Sequence, residues 1–311
     1  MNREIKIDLH AQAQGLFKIE AVKLDGSKRV LADWFPNLIT DIGLERMAEN
    51  SGYFAWCQVG SGTTTPAVTD TALAERIAGS NTVATSSSGT QSTAPYYAWG
   101  RRTIEFAEGV AAGNLSEVGM GWATSGSLFS RALILDGNGD PTTITVLSDE
   151  ILQVTYEFRF YPKTTDDTGQ VTLTGNIGGT YDWIMRAANV TSTFDATGWG
   201  VGTAGLSQFP TSNASGTIAY DGNIGDITTS PSGSSSNASS KSPTAYSAGS
   251  LTWQFSATWD LDRGNFATGI RSVRPAYTGI GTYQVQFDPA IPKTNSDTLT
   301  LTFSYSWGRR P

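Results

Sequence analysis

The stretch Asp149-Glu-Ile-Leu-Gln-Val-Thr-Tyr-Glu-Phe-Arg-Phe-Tyr-Pro162 decides the fold class. Leu152, Val154, Tyr156, Phe158 and Phe160 fall on one side of it, and Ile151, Gln153, Thr155, Glu157 and Arg159 on the other. That two-residue period, carried by aromatic and β-branched side chains, predicts a half-buried β-strand. The chain closes on a second version, Asp297-Thr-Leu-Thr-Leu-Thr-Phe-Ser-Tyr-Ser-Trp-Gly-Arg-Arg-Pro311. At one offset of 149 positions Leu152 falls on Leu301, Val154 on Phe303, Tyr156 on Tyr305, Phe158 on Trp307 and Pro162 on Pro311. The spacing predicts one module made twice, each copy closing with the same strand.

Further matches keep the same order. Tyr181–Asn189 resembles Glu45–Asn50, whose neighbourhood 41–49 reads as a helix capped by Thr40 or Asp41, with Leu44, Met47 and Ala48 at i, i+3, i+4. Trp199–Gly202 takes the place of Gln58–Gly62, and Leu251–Leu261 that of Trp99–Phe106. Two Ser/Thr/Gly-rich stretches, Gly79–Pro95 and Ser230–Pro243, read as matching surface loops. Residues 69–78 are expected to hold a turn or two of helix, and Asp166-Asp-Thr-Gly169 reads as a linker. Before the repeat, Ile5, Ile7 and Leu9 alternate in a segment that fits an edge strand or an arm. Residues 16–34 predict a hairpin turning at Asp25-Gly26.

The expected fold is all-β: two tandem, related β-sandwich-like domains, each with a short helix near its start, plus an N-terminal arm and hairpin. The expected boundaries are 1–35, 36–162 and 163–311. Composition agrees with this class. Of 311 residues, 39% are hydrophobic and only 16% charged, so Ser, Thr, Gly and Asn make the surface polar where a helical bundle would use Lys and Glu.

The same composition narrows the chemistry. A net charge of −7, with 21 basic residues dispersed among 28 acidic ones, argues against a nucleic-acid partner. The single cysteine, Cys57, excludes an intrachain disulfide and any multi-thiolate metal site. It sits beside Trp56 in an apolar run and reads as a small buried hydrophobe. The single histidine, His10, lies in the expected arm and reads as a solvated surface residue, which leaves a Ser-His-Asp triad without its base. Met1-Asn-Arg-Glu-Ile-Lys-Ile-Asp8 lacks the apolar core of a secretory signal, so synthesis in a cytosol is expected. No apolar run approaches the roughly 18 residues of a membrane span.

Three patterns need a decision. Gly200-Val-Gly-Thr-Ala-Gly205 fits G-x-G-x-x-G, but Leu206-Ser-Gln-Phe-Pro210 does not start a helix, so a structural turn is expected. Asp136-Gly-Asn-Gly-Asp140 places oxygens at Asp136, Asn138 and Asp140 as a calcium loop does. Pro141 and Leu147 stand where such a loop needs Gly and Glu, so a hairpin turn is the first reading and a weak Ca²⁺ site the second. Asp149/Glu150, Asp166/Asp167 and Asp260/Asp262 are the carboxylate pairs a glycoside hydrolase would require, and each also reads as a turn or strand end. Nine Trp, eleven Tyr and thirteen Phe mostly alternate with polar residues inside strands, which assigns them to the core.

Phe35-Pro-Asn-Leu-Ile-Thr-Asp-Ile-Gly-Leu-Glu-Arg-Met47 and Val59-Gly-Ser-Gly-Thr-Thr-Thr-Pro-Ala-Val-Thr-Asp-Thr-Ala-Leu73 resemble structural proteins of tailed bacteriophages. In those chains a short N-x-(I/V)-T…G-L helix precedes a strand ending V-G-(S/T)-G-T-T-x-P-x-x-x-D-T-A-L. Asn114-Leu-Ser-Glu-Val-Gly119, Leu128-Phe-Ser-Arg-Ala-Leu-Ile134 and Asp149–Pro162 are similar to the same group, so the resemblance covers about residues 35–162. It implies a non-enzymatic virion protein without cofactors, made in the bacterial host cytoplasm and placed in the tail or tail tip. Its partners would be other virion proteins, copies of itself, and a host surface glycan or receptor. The alternatives are a capsid decoration or head-fibre protein, or a polysaccharide depolymerase.

Overall fold

A computed structural model describes residues 8–49, 52–192, 201–202, 205–206, 217–277 and 281–311. The chain is almost entirely β. It opens with β1 (Asp8–Lys23), β2 (Lys28–Pro36), β3 (Leu38–Ile39), helix α1 (Asp41–Glu49), β4 (Trp56–Gly60), β5 (Arg76–Ser80), β6 (Thr82–Thr90) and β7 (Ala98–Phe106). Then come β8 (Gly113–Leu115), β9 (Glu117–Gly121), β10 (Leu128–Leu133), β11 (Ile144–Val146), β12 (Glu150–Pro162), β13 (Asp167–Leu173) and β14 (Gly179–Ala188). After the two-residue β15 (Val201–Gly202) and β16 (Gly205–Leu206) follow β17 (Ile218–Tyr220), β18 (Ser235–Asn237), β19 (Ser240–Pro243) and β20 (Thr252–Trp259). The last are β21 (Ile270–Arg274), β22 (Ala276–Tyr277), β23 (Gly281–Ile291) and β24 (Leu299–Arg309).

The alternating stretch is β12, and its later counterpart is β24. Both lie in one eight-stranded sheet of order β19-β20-β24-β1-β12-β7-β6, with β2 also on β1. β1 separates them, antiparallel to β12 (Phe17 opposite Tyr156) and parallel to β24 (Ala11 opposite Trp307). Outward from β1 the two sides repeat one order. β7 pairs with β12, Val154 opposite Ile104, while β20 pairs with β24, Phe303 opposite Phe255. The sheet therefore draws strands from all three expected segments.

Alternation dictates what the sheet buries. Val154, Tyr156 and Phe158 of β12 are fully buried, as are Phe17 and Ile19 of β1 and Leu301, Phe303 and Tyr305 of β24. Each such side chain contributes about 1.5–3 kcal/mol relative to exposure. Across from β12, a five-stranded sheet (β3-β10-β9-β4-β5) and the segment before β4 supply Phe129, Tyr53 and Phe54. Their rings meet Tyr156 and Phe158 at centroid distances of 5.3 Å (Phe54–Tyr156), 5.6 Å (Phe129–Phe158) and 5.8 Å (Tyr53–Phe158). Across from β24, a seven-stranded sheet (β13-β14-β23-β21-β17-β18, with β22 on β23) supplies Tyr283, edge-on to Tyr305 at 6.0 Å.

Helix α1 forms where the sequence places it. Thr40 is the cap: its Oγ1 accepts the Gly43 N–H at 3.0 Å and donates to the Leu128 carbonyl at 2.6 Å. Leu44, Met47 and Ala48 are the buried stripe. The hairpin also forms, with Asp25 Oδ1 accepting the Ser27 N–H and Gly26 at φ 84°.

Several expectations are corrected. Residues 8–15 are not an arm but part of β1: Asp8–Ala13 pair with β24, Ala11 onward pairs with β12, and Ala11 and Ala13, flanked on both sides, are buried. Tyr181–Ala188 is strand, not the helix near the start of a second module. Tyr181, Met185 and Ala187 are buried while Asp182 is exposed, and β13 and β23 hydrogen-bond it on both sides, which overrides a local likeness to α1. Residues 69–78 hold turns and the start of β5 rather than helix. Gly79–Pro95 contains β6, and Ser230–Pro243 contains β18 and β19. Ser/Thr-rich composition there marks solvent exposure, not the lack of a ladder. The expected linker at 166–169 runs into β13. Trp199 lies outside the described residues. Among the described residues no helix is long and apolar enough to cross a membrane.

Candidate functional site

Val59–Leu73, Asn114–Gly119 and Leu128–Ile134 come together at one place. Glu117 opens β9 and Arg131 lies in β10, the adjacent antiparallel strand. Glu117 is fully buried and Arg131 is 3% exposed, so neither charge is solvated. Arg131 Nε and Nη2 donate to Glu117 Oε2 at 3.0 and 2.8 Å. Its Nη1 donates to Asp70 Oδ2 at 2.6 Å, and Nη2 also reaches the Thr64 carbonyl and hydroxyl at 3.0 and 2.9 Å. Glu117 takes in the loop's backbone: Oε1 accepts the N–H of Gly62 (3.1 Å) and Glu75 (2.7 Å), and Oε2 that of Ala74 (3.1 Å).

The loop 61–75 is therefore wound round a buried ion pair. Its glycines are required by that closeness. A Cβ at Gly62 would stand 2.4 Å from Glu117 Oε1, and one at Gly60 would stand 2.4 Å from the Glu75 carbonyl. Asp70 closes a turn by accepting the Ala67 N–H, and the Asp41 N–H at the start of α1 donates to the Val68 carbonyl at 2.7 Å. Held from beneath in this way, Thr63–Thr65, Ala67–Thr69, Thr71 and Ala72 remain exposed. The pattern V-G-S-G-T-T-T-P…D-T-A-L thus has a physical reading. It encodes a surface loop fixed in shape by groups that are themselves hidden. Glu117 and Arg131 are both occupied by partners, and through those bonds they position the loop.

Sequence reasoning missed this pair, although a signal was present. Glu117 and Arg131 are lone charges inside apolar strand runs, and a charge in such a run must find an opposite partner.

The other candidates separate. His10 is part-buried rather than solvated, with Nδ1 3.0 Å from Ser306 Oγ; it belongs to the β1–β24 junction. Cys57 is fully buried, and burial pushes its thiol well above the usual range. Asp136 closes the hairpin turn expected first: Oδ1 accepts the N–H of Asn138 (2.8 Å) and Asp140 (3.0 Å), which holds its carboxyl below the usual range. Among the described residues no three His, Cys, Asp or Glu side chains gather as a metal site. Val201–Gly202 and Gly205–Leu206 of the Gly-rich run pair antiparallel as two short strands; Gly200 and residues 203–204 lie outside the described residues.

The carboxylate pairs divide in the same way. Glu150 is buried and ion-paired to Arg29 at 2.8 Å while Asp149 is exposed. Asp166 bonds Arg186, and Asp167 bonds Lys163. Asp260 Oδ1 accepts the Asp262 N–H in a turn whose carbonyl receives the buried Lys293. A depression of about 500 Å³ on the outer face of the seven-stranded sheet holds Gln170, Asp182 and Asp288, and these too are engaged, Asp182 by Gln170 and Asp288 by Arg271. Comparison with known proteins finds no family model, no curated protein and no solved structure that matches the chain.

Proposed function

We infer that the chain is a non-enzymatic structural component of a bacteriophage virion, placed in the tail or tail tip, where it attaches a fibre or meets the host. The observation that carries this reading is the convergence at Glu117 and Arg131. Val59–Leu73, Asn114–Gly119 and Leu128–Ile134, three segments that resemble tailed-phage structural proteins, meet in one buried network that holds an exposed loop. A preformed loop suits assembly, because little conformational entropy is lost when a neighbour docks on it. The repeated strand order on either side of β1 supports a module duplicated and then diverged to make different contacts.

Electron microscopy of purified virions with gold-labelled antibody tests the placement. Label on the tail or its tip is expected. Label on the head would favour a capsid decoration protein, and absence of the chain from purified particles would overturn the reading altogether. Release of reducing sugar from host polysaccharide by the purified protein would overturn its non-enzymatic part.

A further inference from the structure

The terminal strands of the sheets are not alike. β19 carries Lys241 and Pro243, β13 carries Asp167, β5 carries Arg76, and β2 carries Lys28, Arg29 and Pro36. β18 is only three residues long. Such charges, prolines and short lengths are how proteins keep an open sheet edge from pairing with another chain. β6, Thr82-Val-Ala-Thr-Ser-Ser-Ser-Gly-Thr90, has none of them. It is nine residues long, uncharged and free of proline, and Thr82–Ser88 are exposed. Among the described residues it pairs with β7 on one side and ends the eight-stranded sheet on the other, and the two-residue β15 lies close to both β6 and β7. One bulge, at Ala84, leaves Thr85–Thr90 in unbroken register.

We propose that β6 is a self-association edge: two copies of this chain pair their β6 strands antiparallel about a two-fold axis near Ser87, joining two eight-stranded sheets into one. An antiparallel pair of identical strands satisfies two-fold symmetry, so the same patch serves both copies. The composition favours a second copy over a differently charged partner. About an axis at Ser87 only that residue meets its own copy, and because no residue of β6 is charged no pair across the axis sets like charges against each other. Ser86 then faces Ser88 of the other copy, small polar side chains that admit close approach. The proposal names the self-partner in the reading above, but its test in solution is independent of where the protein sits in a particle.

Sedimentation of the full chain is expected to show a concentration-dependent dimer. Amide exchange at Thr85–Ser88 should slow as concentration rises. S86K/S88K sets lysine against lysine twice across the axis and weakens the dimer by roughly tenfold or more; S86D/S88D does the same with carboxylates. Both positions are exposed, so circular dichroism of each variant matches that of the parent. An equimolar mixture of the two variants recovers the dimer. A parent chain that stays monomeric at all concentrations overturns the proposal. So does an S86K/S88K variant that associates like the parent, which would place the contact on another surface.

Discussion

Glu117→Gln isolates what the buried ion pair does. The change keeps the side-chain volume, so it opens no cavity. It removes the negative charge opposite Arg131 and turns one acceptor oxygen into a donor. That new N–H must face either Arg131 or the loop amides of Gly62, Ala74 and Glu75, all of them donors. Breaking one side of a buried pair costs about 3–5 kcal/mol, because the remaining charge is left uncompensated. Asp70 still holds one arm of Arg131, which puts the expectation at the lower half of that range, about 3–4 kcal/mol. This is a large fraction of the roughly 5–15 kcal/mol that holds a typical domain folded. Urea unfolding gives the loss as a shift in midpoint. Arg271→Ala is the control, since its partner Asp288 is 74% exposed, and it is expected to cost under about 1 kcal/mol. Adding Arg131→Met to Glu117→Gln removes the orphaned charge, and the double variant is expected to be less destabilised than the sum of the two singles. Limited proteolysis should also find new cleavage within 61–75. If Glu117→Gln costs no more than Arg271→Ala, or leaves that loop as resistant as before, the loop is not held by this pair.

Gly62→Ala forces a Cβ against Glu117 Oε1 and the Ala74 side chain, 2.4 and 2.6 Å away; an overpacking loss of about 1–3 kcal/mol in urea unfolding is expected. The Leu147 N–H and Arg29 hold the Glu150 carboxyl below its usual range. A depressed folded-state pKa contributes stability above the unfolded value, near 4.3, and loses it as pH falls through the folded value. Parent and Glu150→Gln should therefore differ most at neutral pH and converge in acid, and a difference that stays constant with pH would contradict this. Removing Leu301–Pro311 takes away the strand between β1 and β20 and uncovers Phe255 and Ala11; a protease-sensitive chain is expected, and a soluble resistant one would contradict the topology. Cys57 should be inert to a thiol reagent in the native protein and react fully in denaturant, as measured by absorbance on modification.

What could be read from the sequence was local. β12 and β24 declare themselves by alternation, α1 by a cap and an i, i+3, i+4 stripe, and the first hairpin by Asp25-Gly26. Each of these signals lies within a dozen residues. The partners of a strand are not local. Nothing in Asp8–Lys23 says that it lies between a strand from the middle of the chain and one some 290 positions further on, because small buried residues such as Ala11 and Ala13 carry no distinctive pattern. Tyr181–Ala188 misleads for the same reason: its strand state comes from two flanking ladders, not from its own text. β6 shows a further limit, since Ser/Thr runs suit an exposed strand as well as a loop. The buried pair was half legible. Glu117 and Arg131 stand out as isolated charges, but the loop amides that Glu117 binds leave no trace in side-chain identity.

The pairing of β1 with β24 also fixes an order of events. His10 and Ser306 touch across 296 positions of chain. Contacts that distant must bear the entropy of closing a very long loop before they return anything, which makes such topologies slow to fold. During synthesis β1 and β12 can meet while most of the later strands are still to be made. One side of β1 then waits, unpaired at residues 8–13, until β24 leaves the ribosome. Until that moment the middle of the finished sheet is an open edge, and a neighbouring nascent chain offers it the wrong β24. Refolding yield should therefore fall with protein concentration far more steeply than the stability of the finished protein would suggest.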